Sequence, residues 1–363
     1  MALYLGLMSG TSLDGVDAVL ADFSAASTQT LSHLYTPFAP DLRAELLALN
    51  RAGDDELHRA ALAANALVAV YADAVAGVLQ KAGVEAAAVT ALGAHGQTVR
   101  HQPALGYTLQ LMNGALLAEL TGIDVVCDFR SRDVAAGGQG APLVSAFHTE
   151  RFALPGRQTA VLNLGGIANL TLLPADGKVS GFDCGPGNAL MDMWCQRHRG
   201  QPYDAGGAWA ASGQVDATLL AQWLAEPYFA LPPPKSTGRD LFHAEWLAAR
   251  LPAGPRAEDV MATLAELTVR GAGDALARLA PATALLRVCG GGAFNTHLMR
   301  RLAALLPGAT VTSTAEAGVP PDQVEALAFA WLAWAHKERR AGNRMAVTGA
   351  RGERVLGALY PAG

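Results

Sequence analysis

Two hydroxyl groups, a carboxylate and several backbone N–H groups occur within the segment Gly10-Thr11-Ser12-Leu13-Asp14-Gly15. Glycine adopts the positive-φ conformations that aim neighbouring N–H groups at one anion. These groups suit the oxygens of a β- or γ-phosphate, and the carboxylate of Asp14 or Asp17 suits Mg²⁺ held through water. The alternative is an ordinary hairpin turn in which Thr11 and Asp14 only satisfy the backbone. Because no lysine follows Gly15, the segment is not a Walker A loop.

Two more glycine-rich turns occur later in the chain. The first, Asn163-Leu164-Gly165-Gly166, lies between apolar runs and repeats the pattern of the Gly10 turn. The second, Gly290-Gly291-Gly292, follows a strand-like run, and backbone without side chains there would let an adenine and ribose approach closely. Such glycines can also serve tight packing alone. Three turns in this order favour a nucleotide-dependent phosphotransferase, in which two hairpins face each other across a cleft and hold a polyphosphate.

A carboxylate that could act as a general base occurs at Asp183, where a predicted strand runs into the stiff turn Gly185-Pro186-Gly187. Catalytic groups of open α/β sheets sit at such strand ends. The alternative role of Asp183 is to cap the helix that follows. Asn188 is better placed as that cap, which leaves Asp183 for chemistry.

Other polar residues favour contacts to a small substrate. His95 and His101 follow a strand, but a metal site would need a third ligand at a sensible spacing, which the sequence does not offer. His95 and Gln97 therefore fit a polar substrate better. Glu325 begins an otherwise apolar helix, where it either complements the helix dipole or holds sugar hydroxyls.

The elements that position these residues alternate between short apolar runs and longer helical patterns, which predicts an α/β fold. Strands are predicted over 3–8, 16–23, 89–94, 107–111, 123–127, 178–183, 284–289 and 309–313, and a pair of strands over 158–173. Helices are predicted over 55–82, 113–121, 188–197, 214–224, 242–250, 257–280, 294–306 and 322–340. Residues 128–142 are predicted to form a loop or domain junction, and 232–240 a surface loop near the cleft. Each half opens with a glycine-turn hairpin, which indicates a duplicated α/β unit.

Composition narrows the class of protein. The 363 residues allow two domains, and 51% are apolar, enough for a sizeable core. The net charge of −5 argues against a nucleic-acid-binding face. The four scattered cysteines argue against zinc and disulfides. No basic residue precedes Arg43, unlike a secretory signal, and the apolar stretch over 60–79 is predicted to be a packed helix. We therefore expect a soluble cytoplasmic protein that binds neither nucleic acid nor a membrane.

With these segments in order, the chain resembles the 1,6-anhydro-N-acetylmuramic acid kinases, a family of the actin-like ATPase (sugar kinase) superfamily. The resemblance extends from Gly6 to Pro361. Its most specific pieces are Met8-Ser9-Gly10-Thr11-Ser12-Leu13-Asp14-Gly15-Val16-Asp17, Ala94-His95-Gly96-Gln97-Thr98, Asp128-Phe129-Arg130, Ala136-Gly137-Gly138-Gln139-Gly140-Ala141-Pro142-Leu143, Asn163-Leu164-Gly165-Gly166-Ile167-Ala168-Asn169 and Phe182-Asp183-Cys184-Gly185-Pro186-Gly187-Asn188.

The resemblance implies a two-lobed actin-like (ribonuclease H-like) fold with ATP and Mg²⁺ in a central cleft. The N-terminal lobe is expected over 1–130 and the C-terminal lobe over 131–344, with the tail 345–363 packed back on the first. It also implies a homodimer and a place in murein recycling. Mg²⁺ would be held by Asp14 through water. The implied ATP-binding residues are Gly10, Thr11, Ser12, Leu13, Asp14, Gly15, Val16, Asp17, Asn163, Gly165, Gly166, Gly290, Gly291 and Gly292.

The implied reaction opens the 1,6-anhydro bridge with water and phosphorylates the freed oxygen. Inverting glycosidases use a second carboxyl group to protonate the leaving oxygen, and here capture by the γ-phosphoryl can replace that protonation. One carboxylate should therefore suffice, and the family motif places it at Asp183. Arg130 is the expected partner of the lactyl carboxylate. The implied substrate-binding residues are His95, Gln97, Arg130, Asp133, Asn188 and Glu325.

Two other functions stay open at this point. A generic sugar or carboxylate kinase would keep the fold and transfer phosphate without hydrolysis. An actin-like filament or chaperone-type ATPase would use ATP for conformational change, because fold alone does not decide function. Incorporation of heavy oxygen from water separates the first from the anhydro-sugar kinase, and polymerisation on addition of ATP would identify the second.

Overall fold

The computed structural model describes residues 1–10, 12–24, 28–238, 241–252 and 254–363. The strands are β1 (Leu3–Met8), β2 (Gly15–Asp22), β3 (Gln29–Pro37), β4 (Val89–Ala94), β5 (Gln97–Gln102), β6 (Tyr107–Leu111), β7 (Val125–Cys127), β8 (Thr159–Leu164), β9 (Ile167–Leu173), β10 (Ser180–Pro186), β11 (Leu285–Cys289), β12 (Thr310–Ser313) and β13 (Ala358–Tyr360). The helices are α1 (Pro40–Ala48), α2 (Glu56–Ala82), α3 (Gly114–Thr121), α4 (Ser131–Ala135), α5 (Val144–Phe152), α6 (Ala189–Arg199), α7 (Ala208–Ser212), α8 (Ala217–Leu224), α9 (Pro227–Ala230), α10 (Ala244–Ala248), α11 (Ala257–Leu279), α12 (Thr296–Leu305), α13 (Val324–Lys337) and α14 (Met345–Thr348).

Two large sheets repeat one strand arrangement. In the first, of order β13-β7-β4-β1-β2-β3, β1 to β3 form an antiparallel meander, and β4 and β7 run parallel to β1. In the second, of order β10-β9-β8-β11-β12, β8 to β10 form the meander, and β11 and β12 run parallel to β8. The predicted α/β class, an actin-like fold with a duplicated core, is therefore confirmed.

The chain divides into two compact units. Unit 1 comprises Met1–Phe147 and Gln323–Gly363, and unit 2 comprises His148–Asp322. The expected division had its boundaries after residues 130 and 344. They fall elsewhere because α4, which lies inside the predicted loop 128–142, is bonded to the C-terminal segment, and because α13 packs on β1 and β4. Within unit 1, β13 pairs with β7, which attaches the tail to the first sheet.

The long helix α2 is apolar enough, by length and composition alone, to cross a membrane. Half of its most apolar window is buried within the protein. Its buried side chains, among them Leu67, Tyr71 and Val78, recur every three to four residues and pack against β2 and β3. This one-sided burial is typical of a core helix and agrees with the packed helix predicted over 60–79.

Helix α13 lies directly on the backbone of the first sheet. A Cβ atom added at Gly6 would overlap the carbonyl oxygen of Ala326, and one added at Gly93 would overlap that of Phe329. Helix and strands can approach this closely only because both strand positions lack a side chain. The contact places Ala326, which follows Glu325 in the first turn of α13, against β1.

Replacing Gly93 by alanine should therefore destabilise unit 1. The added methyl group has no space, and overpacking of this kind costs about 1–3 kcal/mol of the free energy of unfolding. Denaturant unfolding followed by circular dichroism measures the change. Gly308→Ala is the matched control, because a Cβ there meets nothing within 4 Å. Equal midpoints for the two variants would contradict the close packing of α13.

Candidate active site

The turn between β1 and β2 is held in place by neighbouring backbone and side chains. Ser9 is fully buried, and its Oγ is hydrogen-bonded to Oη of Tyr71 (2.8 Å) and donates to the carbonyl oxygen of Gly96 (3.1 Å). Nε2 of Gln97 donates to the carbonyl oxygen of Gly10 (3.1 Å). The turn is thus attached both to α2 and to the segment that follows β4, which preorganises its backbone.

The predicted phosphate-binding residues of this turn divide into two groups. Asp14 is exposed and accepts a hydrogen bond from Oγ of Ser12 (2.6 Å), and a Cβ on Gly10 would meet only that Oγ, at 3.7 Å. These residues face open space. The second group is packed into the protein: Leu13 and Val16 are buried in the core, Gly15 lies against the carbonyl oxygen of Thr36, and Asp17 is bonded to Nε2 of His33 (2.9 Å). Thr11 lies outside the described residues.

His95 is buried and neutral. Its Nδ1 donates to the carbonyl oxygen of Ser9 (3.0 Å), and its Nε2 accepts from Nε (3.2 Å) and Nη2 (3.0 Å) of Arg130. The acceptor-only carbonyl and the donor-only guanidinium together select the Nδ1–H tautomer. Burial, with a smaller effect of the Arg130 charge, lowers the pKa of His95 to about 3. His95 is therefore suited to orienting Arg130 and unsuited to proton transfer near neutral pH.

Asp133 links Arg130 to the C-terminal segment. Nη1 of Arg130 donates to the carbonyl oxygen of Gly140 (2.7 Å), and the N–H of Gly140 donates to Oδ2 of Asp133 (2.7 Å). Oδ1 of Asp133 accepts from Nδ2 of Asn343 (2.6 Å) and Oγ1 of Thr348 (2.7 Å). Asp133 is fully buried, so the structure shows a structural role for a residue predicted to contact substrate; that contact stays a prediction.

The second glycine turn, between β8 and β9, is bound to the start of α6. The N–H groups of Gly187 and Asn188 donate to the carbonyl oxygens of Gly166 (2.9 Å) and Gly165 (2.8 Å). Nδ2 of Asn188 donates to the carbonyl oxygen of Leu164 (2.9 Å). Asn188 occupies the N-cap position of α6, as predicted, but its side chain makes no capping bond. The cap prediction was wrong in that respect, because the carboxamide is bonded to the hairpin instead.

The three glycines after β11 differ in how closely the protein surrounds them. A Cβ on Gly290 would overlap Oδ1 of Asn163, and one on Gly292 would lie 2.5 Å from Cβ of Leu164, so these two serve tight packing. At Gly291 a Cβ would meet nothing within 4 Å, which leaves room for a ligand. A Cβ on Gly165 would likewise meet nothing closer than 3.6 Å.

Polar side chains form a row across three adjacent strands of the second sheet. Asn163 of β8 is paired with Asn169 of β9, and Asn169 is paired with Asp183 of β10. Residues paired across antiparallel strands lie on the same face of the sheet. Among the described residues, Oδ1 of Asn163 and Oδ1 of Asn169 are buried acceptors without a hydrogen-bond partner. A ligand with donor groups, or water, would satisfy them. Asn169 was not predicted as a site residue, although the period-two pattern of its strand marks it.

Asp183 is only 9% exposed and is held by the segment 228–237. The N–H of Thr237 donates to its Oδ2 (3.0 Å), Oη of Tyr228 donates to its carbonyl oxygen (2.7 Å), and its N–H donates to the carbonyl oxygen of Lys235 (3.1 Å). The predicted surface loop 232–240 therefore packs on β10 in its described part; Arg239 and Asp240 lie outside the described residues. Tyr228, Lys235 and Thr237 were not predicted as site residues, and the signal that the sequence offers is a lone lysine after three prolines.

Comparison with known proteins identifies the family of the chain. The family profile described as anhydro-N-acetylmuramic acid kinase matches residues 2–362. The chain belongs to this family. Relatives named anhydro-N-acetylmuramic acid kinase include those of Bordetella petrii, 62% identical over 99% of this chain and 96% of the relative, and Variovorax paradoxus, 59% identical over 99% of each. Among solved structures, a ROK family glucokinase from Streptomyces griseus in complex with glucose and AMPPNP is 17% identical, with a TM-score of 0.42 over 91% of this chain and 99% of that chain.

The family assignment decides the class of protein. The chain is an enzyme, a kinase of carbohydrate metabolism, which favours the phosphotransferase prediction over a filament-forming or chaperone-type ATPase. Within the family, the residues described above are the candidates for binding and chemistry.

Proposed function

We propose that this kinase opens the ring of 1,6-anhydro-N-acetylmuramic acid with water and phosphorylates the freed 6-oxygen. The products are N-acetylmuramic acid 6-phosphate and ADP, and the reaction serves murein recycling. The observation that carries the proposal is the polar row Asn163, Asn169 and Asp183, in which a nearly buried carboxylate lies on the same sheet face as the side chains beside the Gly165 turn. The relatives are named for this sugar and supply its identity.

Asp183 acts as the general base in this proposal. It accepts a proton from a water molecule whose oxygen bonds to the anomeric carbon, while the bond from that carbon to the 6-oxygen breaks. The 6-oxygen takes the γ-phosphoryl group of ATP, and ADP leaves. Because the leaving oxygen is captured by phosphorus, no second carboxyl group has to protonate it, in contrast to an inverting glycosidase. The hydrogen bond from Thr237 holds Oδ2, which orients the carboxylate for this step.

ATP is proposed to bind through both glycine turns and the Gly290 loop. Gly10, Gly165 and Gly291 offer backbone with open space beside it, and the orphaned acceptors of Asn163 and Asn169 suit donor groups of a ligand or bound water. Leu13, Val16 and Asp17 act as supports, because their side chains are packed or bonded within the protein. Asp14 and Ser12 present the hard oxygen donors that suit Mg²⁺ through water, and that ion neutralises phosphate charge when bound.

The sugar is proposed to contact Arg130, His95, Gln97, Asn188 and Glu325. Arg130 is the partner for the lactyl carboxylate, because a guanidinium recognises carboxylates through paired hydrogen bonds. His95 and the carbonyl oxygen of Gly140 orient it. Oε1 of Gln97 is a buried acceptor without a partner in the described part of the chain, which suits a sugar hydroxyl. Asp133 supports Arg130 through Gly140. We further propose that the enzyme is a cytoplasmic homodimer.

Reaction in H₂¹⁸O tests the hydrolytic step. We expect one ¹⁸O atom on the anomeric carbon of the product and none in its phosphate ester, because water attacks that carbon. Mass spectrometry of product quenched at early times measures the label. Unlabelled N-acetylmuramic acid 6-phosphate held in the same water for the same time corrects for exchange of the anomeric oxygen. Product without label would favour the second candidate, a kinase that transfers phosphate without opening the ring.

A further inference from the structure

Lys235 is a buried cation beside the proposed base. The residue is 8% exposed, and its Nζ donates to the carbonyl oxygens of Tyr228 (3.0 Å) and Phe229 (3.3 Å) at the end of α9. The ammonium lies 4.6 Å from the ring centroid of Tyr228 and 5.9 Å from that of Phe182. In the described part of the chain no carboxylate lies within 4.0 Å of it. Burying an ammonium whose partners are only carbonyl oxygens and aromatic rings lowers the free energy of unfolding. The presence of a buried lysine at this position therefore calls for a reason.

The same residues hold Asp183, which gives that reason. Tyr228 accepts a hydrogen bond from Lys235 through its carbonyl oxygen and donates one to the backbone of Asp183 through its hydroxyl. The carbonyl oxygen of Lys235 accepts from the N–H of Asp183, and Thr237, two residues further on, donates to the Asp183 carboxylate. Asp183, Lys235 and Tyr228 thus form a closed ring of contacts. Within it, the ammonium is the link that attaches the segment 232–237 to α9.

The charge of Lys235 also acts on Asp183. The ionisable groups that act on the ammonium are Cys184 and Asp183 of β10 and Arg278 of α11. Burial lowers the pKa of Lys235, and the Asp183 charge acts in the opposite direction. Burial raises the pKa of the Cys184 thiol well above its usual value, so that thiol is neutral. Asp183 is therefore the one carboxylate among these groups, and the attraction favours its deprotonated form.

We propose that Lys235 is a positioning residue for the reaction: it holds the segment 228–237 against β10 and keeps the Asp183 carboxylate oriented and ionised. This inference rests on the proposed role of Asp183 as base. Lys235 itself touches neither ATP nor the sugar in this proposal. A role confined to stability would change neither the pH dependence of the reaction nor the balance between kcat and KM.

The test is Lys235→Met, which removes the ammonium and keeps an unbranched apolar side chain that is only one atom shorter. We expect kcat to fall about 10²-fold through misplacement of Asp183, while the KM for ATP stays within about twofold. The acidic limb of kcat/KM against pH should move to higher pH, because the opposite charge is lost. Lys178→Met, at a lysine side chain that is 86% exposed, is the matched control and should leave both readouts unchanged.

A retained kcat with an unmoved acidic limb would overturn the inference. If Lys235→Met does not fold, Lys235→Gln takes its place, because its amide can still donate to the carbonyl oxygen of Tyr228 while the charge is absent. Loss of folding in both variants would make Lys235 a stability residue only and would also overturn the inference. Asp183→Asn, measured alongside, separates the two proposals: its full activity refutes the base itself, whereas its inactivity beside an unaffected Lys235→Met refutes only the positioning role.

Discussion

Replacing Asp183 by asparagine is expected to lower kcat by about 10²- to 10⁴-fold, the usual contribution of a general base. Asparagine is nearly isosteric and its carbonyl oxygen can still accept the hydrogen bond from Thr237. Folding and the Kd for ATP should therefore be preserved, so the loss lies in the chemical step. Steady-state rates of ADP release with 1,6-anhydro-N-acetylmuramic acid, together with calorimetric titration of ATP, measure the two quantities.

The matched control is Asp176→Asn, at an exposed carboxylate in the turn between β9 and β10 of the same unit. It should retain the turnover of the unmodified enzyme. An Asp183→Asn variant that also retains full turnover would remove Asp183 from the proposed mechanism. Reduced ATP affinity with unchanged kcat would instead assign the carboxylate to nucleotide binding.

Replacing Asp133 by alanine is expected to lower the free energy of unfolding by about 3–5 kcal/mol, because it leaves three buried hydrogen-bond donors without their acceptor. Those donors are the N–H of Gly140, Nδ2 of Asn343 and Oγ1 of Thr348. Denaturant unfolding measures the loss. The KM for the sugar should also rise, since the carbonyl oxygen of Gly140 no longer holds Arg130 in place.

Asp54→Ala provides the comparison, because Asp54 is an exposed carboxylate of the same unit and its replacement should cost no more than about 0.5 kcal/mol. An Asp133→Ala protein as stable as this control would contradict the buried network. A normal sugar KM in a destabilised variant would limit Asp133 to stability and separate it from Arg130.

The hairpins, helices and strands that sequence patterns predicted correctly are those that depend on residues only a few positions apart in the chain. Both glycine-turn hairpins, the long helices α2 and α11, and the strands before His95 and Gly290 were predicted within a few residues of their observed bounds. Each depends on hydrophobic period and on turn residues that act over a few positions. The features that were missed, including β3, α1 and β13, have weak patterns of their own. β13, for instance, is three exposed residues that become a strand only by pairing with β7.

The residues of the candidate site also fall into two groups, those that the sequence suggested and those that only the fold revealed. The glycine turns, Asp183 and His95 became candidates from residue types and spacing, because phosphate binding, base catalysis and polar contacts to a substrate would require those types. The role of Asp133 could not, since its partners Asn343 and Thr348 lie more than 200 residues away in the chain. The sequence gives Lys235 the pattern of an ordinary loop residue. Its hydrogen bonds to Asp183 and Tyr228 are seen only in the fold. The place of Asn169 between Asn163 and Asp183 follows from the register of β9 against β8 and β10.

Residue patterns are thus sufficient to predict the α/β class, the duplicated hairpin-led units and the kind of chemistry, because hydrophobic period, turn residues and motif spacing act locally. The three-dimensional fold was needed to learn which predicted residues face open space, where α13 and the tail attach, and which neutral or charged groups hold Arg130 and Asp183. Those properties depend on burial and on hydrogen bonds between segments distant in the chain, and no local pattern encodes either.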